Sequence, residues 1–350
     1  MKQYHICGIG NALVDFDFEV SEETLTRLNI EKGVMTLIDA CQEQQLLEDL
    51  DGIKHVKACG GSAANTVLTV QSLGGKGFYS CKIADDHTGD FFLADLKRNG
   101  VATNIQSDNR ETGVTGKCIA MITPDAERTM NTYLGISGSL STAEICPKAI
   151  ADATYLYAEG YLVASPTAFE SVVEAIKIAK SVGTTVAFSL SDINMVRHFR
   201  PQLDTIFALG VDVLFCNHSE AKSFVDCHDF NDTLEKIRKY ARDVLVTCSD
   251  KGVVGVTQAG ARYDISAYPV SAIDTIGAGD IFAGAYLYAI AHDFDMPSAC
   301  DIACYAASHV VTKFGPRLDK RGIIQVQQHI QKILNGDIVI RLMHDQKINK

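Results

Sequence analysis

The sequence is poor in breaks. Only seven prolines occur in 350 residues, and no Ser/Gly-rich or charged run separates one part of the chain from another. Nothing therefore marks a linker between sequential domains. No window approaches the ~20 apolar residues of a membrane span. Asp15 interrupts the N-terminal stretch that begins MKQYHICGIG, so a secretory leader is not expected. Positive charge is in deficit: 32 Lys and Arg stand against 43 Asp and Glu, a formal net charge of −11. That disfavours nucleic acid or an anionic membrane as a partner, although a small anionic ligand needs only local positive potential. Eleven cysteines are present without a C-x-x-C pair, and Cys300 and Cys304 come nearest, one helical turn apart. They are expected to be reduced core thiols rather than zinc ligands or disulfides. These absences predict a cytoplasmic protein.

What is present is material for a core. Hydrophobic residues make up 47% of the chain and charged residues 21%, a globular composition. YHICGIG, TTVAFSL, VDVLFCN and RDVLVTC read as buried strands. PTAFESVVEAIKIAKSVG reads as an amphipathic helix, with Pro166 at its start and Gly183 after its end. TGDFFLADLKRNG reads as another helix stopped by glycine. This alternation predicts a mostly parallel sheet with helices on both faces. Two segments depart from it. VDFDFEV alternates strictly, with Val14, Phe16, Phe18 and Val20 on one face and Asp15, Asp17 and Glu19 on the other, the pattern of a half-buried strand in an antiparallel sheet. TGKCIAMITPDAERTMNTYLG reads as a hairpin around Pro124–Asp125. Together they predict a small sheet inserted into the core fold as a lid. The expected layout is one unit over 1–350, with a core of 1–13, 37–112 and 134–336 and a lid of 14–36 and 113–133. Residues 337–350 form an extension without a functional account.

The chemistry concentrates at DTIGAGDIFAG, residues 274–284. A helix beginning near Asp280 leaves its first N–H groups unpaired, and its dipole adds partial positive charge. Gly277 and Gly279 permit close backbone approach, which makes an anion hole suited to phosphate. Asp280 then stands where a carboxylate could take a proton from an attacking hydroxyl. The plain alternative is a glycine turn with an Asp cap. CGGSAANTVLTVQSLGG is a second glycine turn feeding a helix. There Asn65 could both donate to and accept from a polyhydroxyl ligand, and Ser62 could simply cap the helix. NHSE places Asn217 and Glu220 after a strand end, where open α/β sheets bind ligands. Glu220 could hold water on Mg²⁺ or close an ordinary capping box. GIGNAL offers a G-x-G after a strand, but Leu13 replaces the third glycine of a dinucleotide site, and a strand follows instead of a helix.

In order along the chain, GGSAANT, NHSE and DTIGAGDIFAGAYL resemble the motifs of the ribokinase-like (PfkB) family of carbohydrate and nucleoside kinases. The resemblance runs from GIGNALVD to AASHVVTKFG. It implies a Rossmann-like three-layer α/β/α core with a β-sheet lid, ATP and Mg²⁺ as cofactors, and a small-molecule nucleoside or sugar as acceptor, in a monomer or homodimer. By the same resemblance Asp280 is the base, and Gly277, Ala278 and Gly279 are the anion hole. Asn11, Asp15, Gly61 and Asn65 hold the acceptor, and Asn217, Glu220, Thr247 and Gly252 hold the nucleotide. Asp274 and Thr275 fall where many members bind a monovalent cation such as K⁺. GNALVD, KGVMTLID and ERTMNTYLG are similar to the adenosine-kinase-like branch, in which Arg128 matches a lid arginine that approaches the phosphates. The alternative acceptor is a non-nucleoside sugar such as ribose, fructose or a keto-deoxy sugar acid. Rival classes are a non-catalytic sugar or nucleoside sensor and a dinucleotide oxidoreductase.

Overall fold

The computed structural model describes residues 2–125 and 127–342. Thirteen strands are described: β1 (Tyr4–Ile9), β2 (Leu13–Glu19), β3 (Met35–Leu37), β4 (His55–Gly60), β5 (Gly77–Ser80), β6 (Thr115–Ile122), β7 (Arg128–Gly135), β8 (Ala153–Glu159), β9 (Thr185–Ser189), β10 (Val211–Asn217), β11 (Ala241–Thr247), β12 (Gly252–Thr257) and β13 (Arg262–Ser266). Eight make the main sheet, in the order β13-β12-β11-β10-β9-β8-β1-β5. Its strands from β5 to β11 run parallel, and β12 and β13 turn back antiparallel at one edge.

The apolar runs expected as strands are strands because both of their faces are covered. In β10, Val213 and Phe215 enter one core and Leu214 and Cys216 the other. In β8, Tyr155 and Tyr157 face one core, and Leu156 and Ala158 the other. Two cores on opposite faces of one sheet make a three-layer α/β/α unit. The helix Pro166–Val182 starts with proline after the cap Ser165 and ends at Gly183, whose φ of 72° is left-handed, as the sequence pattern requires.

The remaining five strands form a separate sheet in the order β3-β7-β6-β2-β4. β2 keeps the predicted alternation, with Val14, Phe16 and Phe18 buried. β6 and β7 form the hairpin. Two expectations need correction. The second sheet is mixed rather than antiparallel, since β2 runs parallel to β6 and β3 parallel to β7. It also takes in β4, which pairs with β2 from Leu13–Gly60 to Phe18–His55, and the helix Ala40–Asp49, whose Glu43 pairs with Lys117 of β6 at 2.6 Å. Residues 37–60 therefore sit with the second sheet and not with the core. The start of the C-terminal extension lies against the β13 edge, where Ser266 N donates to Arg341 O at 2.8 Å. The rest, 343–350, lies outside the described residues. Among the described residues, no helix is long and apolar enough to cross a membrane.

Candidate active site

The site is built where the carboxyl ends of β1, β8, β10 and β11 meet two helix N-termini, the position at which open α/β sheets bind ligands. The helix Ala278–Ile290 begins at Gly277, whose φ is 76°. A side chain at Gly277 would meet Pro316 O at 2.5 Å, so the turn is closed to any larger residue. A Cβ at Gly279, by contrast, would meet nothing within 4 Å beyond its own turn of helix. Space therefore lies open beside the first turn of the helix, where an anion site would stand.

Asp280 lies in the first turn of this helix and is fixed from the other glycine turn. Ser62 Oγ donates to Asp280 Oδ1 at 2.6 Å, and Asn65 Nδ2 donates to Asp280 Oδ2 at 3.1 Å. Ser62 is thus not the cap of its helix. Gly61 occupies that position, with φ 92°, and the serine hydroxyl goes to Asp280 instead. A Cβ at Gly61 would run into Asn11 O, which explains the glycine by space as well as by φ. Burial pushes the Asp280 carboxyl up to about 6, while the Ser62 and Asn65 bonds and the Arg317 charge pull it down. A carboxylate so placed is ionised at neutral pH and still basic enough to accept a proton.

Asp15 of β2 faces the same space. It makes no side-chain hydrogen bond to another described residue, and its carboxylate lies against Gly60. Burial, with Asp17 nearby, raises it to about 7 against the pull of Arg128 and Arg317. Asn11 is buried and held by Glu159. Asn11 N and Nδ2 donate to Glu159 Oε1 at 2.8 and 3.0 Å, while Ala63 N donates to Oε2 at 2.7 Å.

Glu159 is a site residue that the sequence pattern did not single out. Only 1% exposed, it ties the end of β1 to the Gly61 turn, and burial raises its carboxyl to about 7. An acid at the carboxyl end of an apolar strand was the available signal. Arg317 is a second such residue, and no local pattern marks it. Its Nε donates to Asn65 Oδ1 at 2.9 Å and its Nη1 to Asp95 Oδ2 at 2.5 Å.

Asn217 and Thr247 are register partners at the ends of β10 and β11. Asn217 and Glu220 form a complete capping box. Asn217 Oδ1 accepts from Glu220 N at 2.8 Å, and Glu220 accepts from Asn217 N and Nδ2 at 3.0 and 2.5 Å. Each Glu220 oxygen thus has one protein donor and keeps one lone pair for a water. Burial raises Glu220 to about 7. Gly252 has a fold reason of its own: its φ is 115°, and a Cβ there would collide with the β13 backbone.

Asp274 and Thr275 lie in the turn before the helix Ala278–Ile290. The buried Asp274 carboxylate accepts from Ile276 N and Gly315 N at 3.0 Å each, and from Arg128 Nη1 at 2.8 Å. Its three donors anchor this turn, and Oδ1, with one donor, keeps a lone pair. Thr275 is exposed, and its carbonyl accepts from Ala278 N. Among the described residues, no group of three or more His, Cys, Asp or Glu is placed to hold a metal by itself. Arg128 does not point free from the hairpin. It bonds Asp17 Oδ1 at 2.6 Å as well as Asp274, with 7% of its side chain exposed. It therefore links the second sheet to the turn that precedes the anion hole.

Comparison with known proteins agrees with this geometry. The family model for pfkB family carbohydrate kinases matches residues 34–321. A 5-dehydro-2-deoxygluconokinase of Geobacillus thermodenitrificans is 26% identical over 296 residues, covering 80% of this chain and 86% of that one. An adenosine kinase of Saccharomyces cerevisiae is 26% identical over 333 residues, covering 88% and 95%. The crystal structure of adenosine kinase from Sinorhizobium meliloti superposes with a TM-score of 0.86 at 32% identity, covering 93% of this chain and 99% of that one. With its three-layer core, its second sheet and its glycine turn before Asp280, the chain belongs to the pfkB family of carbohydrate kinases.

Proposed function

We propose that the protein transfers the γ-phosphoryl group of ATP to a hydroxymethyl oxygen of a nucleoside or sugar, with Asp280 as the base. The observation that carries this is Asp280 itself. It is raised to about 6, stands at the mouth of the helix Ala278–Ile290 beside open space, and is held by two residues of the other glycine turn. Asp15, Asn11, Gly61 and Asn65 receive the acceptor. Asp280 takes the proton as the acceptor oxygen forms its bond to phosphorus and the bond to the β-phosphate oxygen breaks, releasing ADP. The N–H groups of Gly277, Gly279 and Asp280 stabilise the charge that collects on the transferring oxygens, while Ala278, read from the motif as part of the anion hole, has its N–H bonded to Thr275 O.

Asn217 and Thr247 hold the nucleotide in this reading, and Glu220 would hold Mg²⁺ through water, using its remaining lone pairs. Mg²⁺ supplies neutralisation of phosphate charge. A monovalent cation such as K⁺ would use the lone pair that Asp274 Oδ1 keeps beside Ile276 N. The second sheet acts as a lid. Asp15 and Asp17 line its polar face, and Arg128, paired with Asp17 and Asp274, ties the lid to the turn before the helix Ala278–Ile290. Closure excludes water, which competes with the acceptor as nucleophile. ATP and a small hydroxylated metabolite place the enzyme in the cytoplasm.

The adenosine-kinase-like motifs favour a nucleoside acceptor. The likeness to the Geobacillus kinase makes a keto-deoxy sugar acid the second reading. An ADP-coupled assay with Mg·ATP and a panel of nucleosides, neutral sugars and sugar acids separates them. Acceptor-dependent ADP release with one class identifies it, and none with any class refutes the proposal.

A further inference from the structure

We propose that Arg317 is a positioning residue for phosphoryl transfer: it fixes the Asn65 amide so that the amide NH₂ holds the Asp280 carboxylate in one orientation. This rests on the reading of Asp280 as the base.

The argument begins with donors and acceptors. A guanidinium carries only donors, and an amide carries one face of each kind. Arg317 Nε–H bonds Asn65 Oδ1 at 2.9 Å. The carbonyl face of Asn65 is thereby turned to Arg317, and its NH₂ face is the one that meets Asp280 Oδ2 at 3.1 Å. The ionised Asp280 carboxylate, an acceptor only, favours that same face, and Arg317 adds the second constraint by occupying the carbonyl end of the amide. Arg317 is itself held by Asp95 of the helix His87–Arg98, at 2.5 Å. A chain of bonds thus runs from Asp95 through Arg317 and Asn65 to Asp280, with Ser62 closing on the other carboxylate oxygen at 2.6 Å.

The residues before Arg317 brace the same turn. Gly315 N donates to Asp274 at 3.0 Å. Pro316 fills the space where a side chain at Gly277 would stand. Three consecutive residues therefore hold the Asp274 anchor, the Gly277 turn and the Asp280 partner. The Arg317 charge also lowers the proton affinity of both Asp280 and Asp15, which helps keep the base ionised against burial.

The test uses the full-length protein with its acceptor and Mg·ATP. Arg317→Ala is expected to lower kcat roughly 10- to 100-fold, the scale of a misplaced reacting group, and to leave the KM for ATP unchanged. It should also move the acid limb of kcat/KM to higher pH. Arg317→Lys keeps the charge, so the limb should stay near its wild-type place. Its single ammonium cannot reproduce the guanidinium bridge, so kcat should recover only in part. In an Asp280→Asn background, adding Arg317→Ala should cost less than about threefold more, because residues acting as a unit are not additive. An undiminished loss in that background would overturn the proposal while leaving the base reading intact. So would a loss of melting temperature alone, with kcat and the pH limb unmoved. Wild-type turnover in Asp280→Asn by itself is the distinct result that removes the base. If Arg317→Ala does not fold, Asp95→Ala should show the same pattern more weakly, and wild-type kinetics in folded Asp95→Ala and Arg317→Lys would overturn the proposal.

Discussion

Replacing Asp280 by asparagine should nearly abolish activity and yet leave the ligand-free protein no less stable. The substitution keeps the shape of the side chain and removes its charge and its basicity. Without a base, kcat should fall by roughly 10²–10⁴, while the nucleotide, which the proposal assigns to Asn217, Thr247 and the helix N-terminus, should bind as before. The stability side follows from burial. The carboxyl stands at about 6 against 3.8 for a free aspartate. At about 1.4 kcal/mol per pKa unit, holding it ionised at pH 8 costs the fold about 3 kcal/mol as an upper limit. Asp280 keeps some solvent contact, and an asparagine there would turn one amide toward the Asn65 NH₂. These reduce the expected gain to about 1 kcal/mol, a rise of about 1–2 °C in Tm. The assay is steady-state ADP release at pH 8 beside a ligand-free thermal melt. Turnover within threefold of wild type would refute the mechanism. A drop of several degrees in Tm would refute the claim that the ionised carboxylate costs the fold more than its partners return.

Further outcomes follow from the same geometry. Asp15→Ala should weaken acceptor binding by roughly 1.5–3 kcal/mol per lost charge-assisted bond and leave ATP affinity alone; an unchanged acceptor Kd by calorimetry would contradict it. Arg128→Ala should lower kcat more than it raises the acceptor KM, and lid amides should gain hydrogen-exchange protection when acceptor binds, even without ATP. Equal protection in the free and bound enzyme would remove the lid from the account. Glu159→Gln leaves one of three donors facing an NH₂, so it should cost about 1–3 kcal/mol of stability, read by chemical denaturation. The pH dependence of ligand-free stability has a definite sign. Asp15, Glu159 and Glu220 stand at about 7 and Asp280 at about 6, all raised by burial. Their contributions are fully present below about 4 and are lost as pH rises through 6 to 7. Tm of the ligand-free protein should fall over that window, and the Asp280→Asn variant should fall less.

The parts of the molecule legible in the sequence are those whose signal is local. β10 and β11 carry central apolar runs, Val213–Cys216 and Val244–Val246, because both faces are covered there, and the runs alone show it. β2 announces its wet face by strict alternation, and the turns before Asp280 and at Gly61 announce themselves by glycine. The parts that were not legible depend on contacts far apart in the chain. β4, HVKACG, has three exposed residues followed by small ones, too weak a pattern to show that it pairs with β2. Nothing in the neighbourhood of Asp274 reveals its partner Arg128, 146 positions away. Glu159 reaches Asn11 across 148 positions and Arg317 reaches Asn65 across 252. A lone Glu at a strand end and a lone Arg in KFGPRLDK carry no periodicity, so only the folded arrangement shows what they hold.

The most direct test of the central claim is the identity of the product. Wild-type enzyme, Mg·ATP and the acceptor selected from the panel should yield ADP and a new phosphomonoester in equal amounts. In the ³¹P NMR spectrum the ester phosphorus should couple to the two protons of a CH₂ group, which places the transferred group on a hydroxymethyl oxygen. ADP matched by inorganic phosphate instead, or an ester on a ring hydroxyl, would contradict the account.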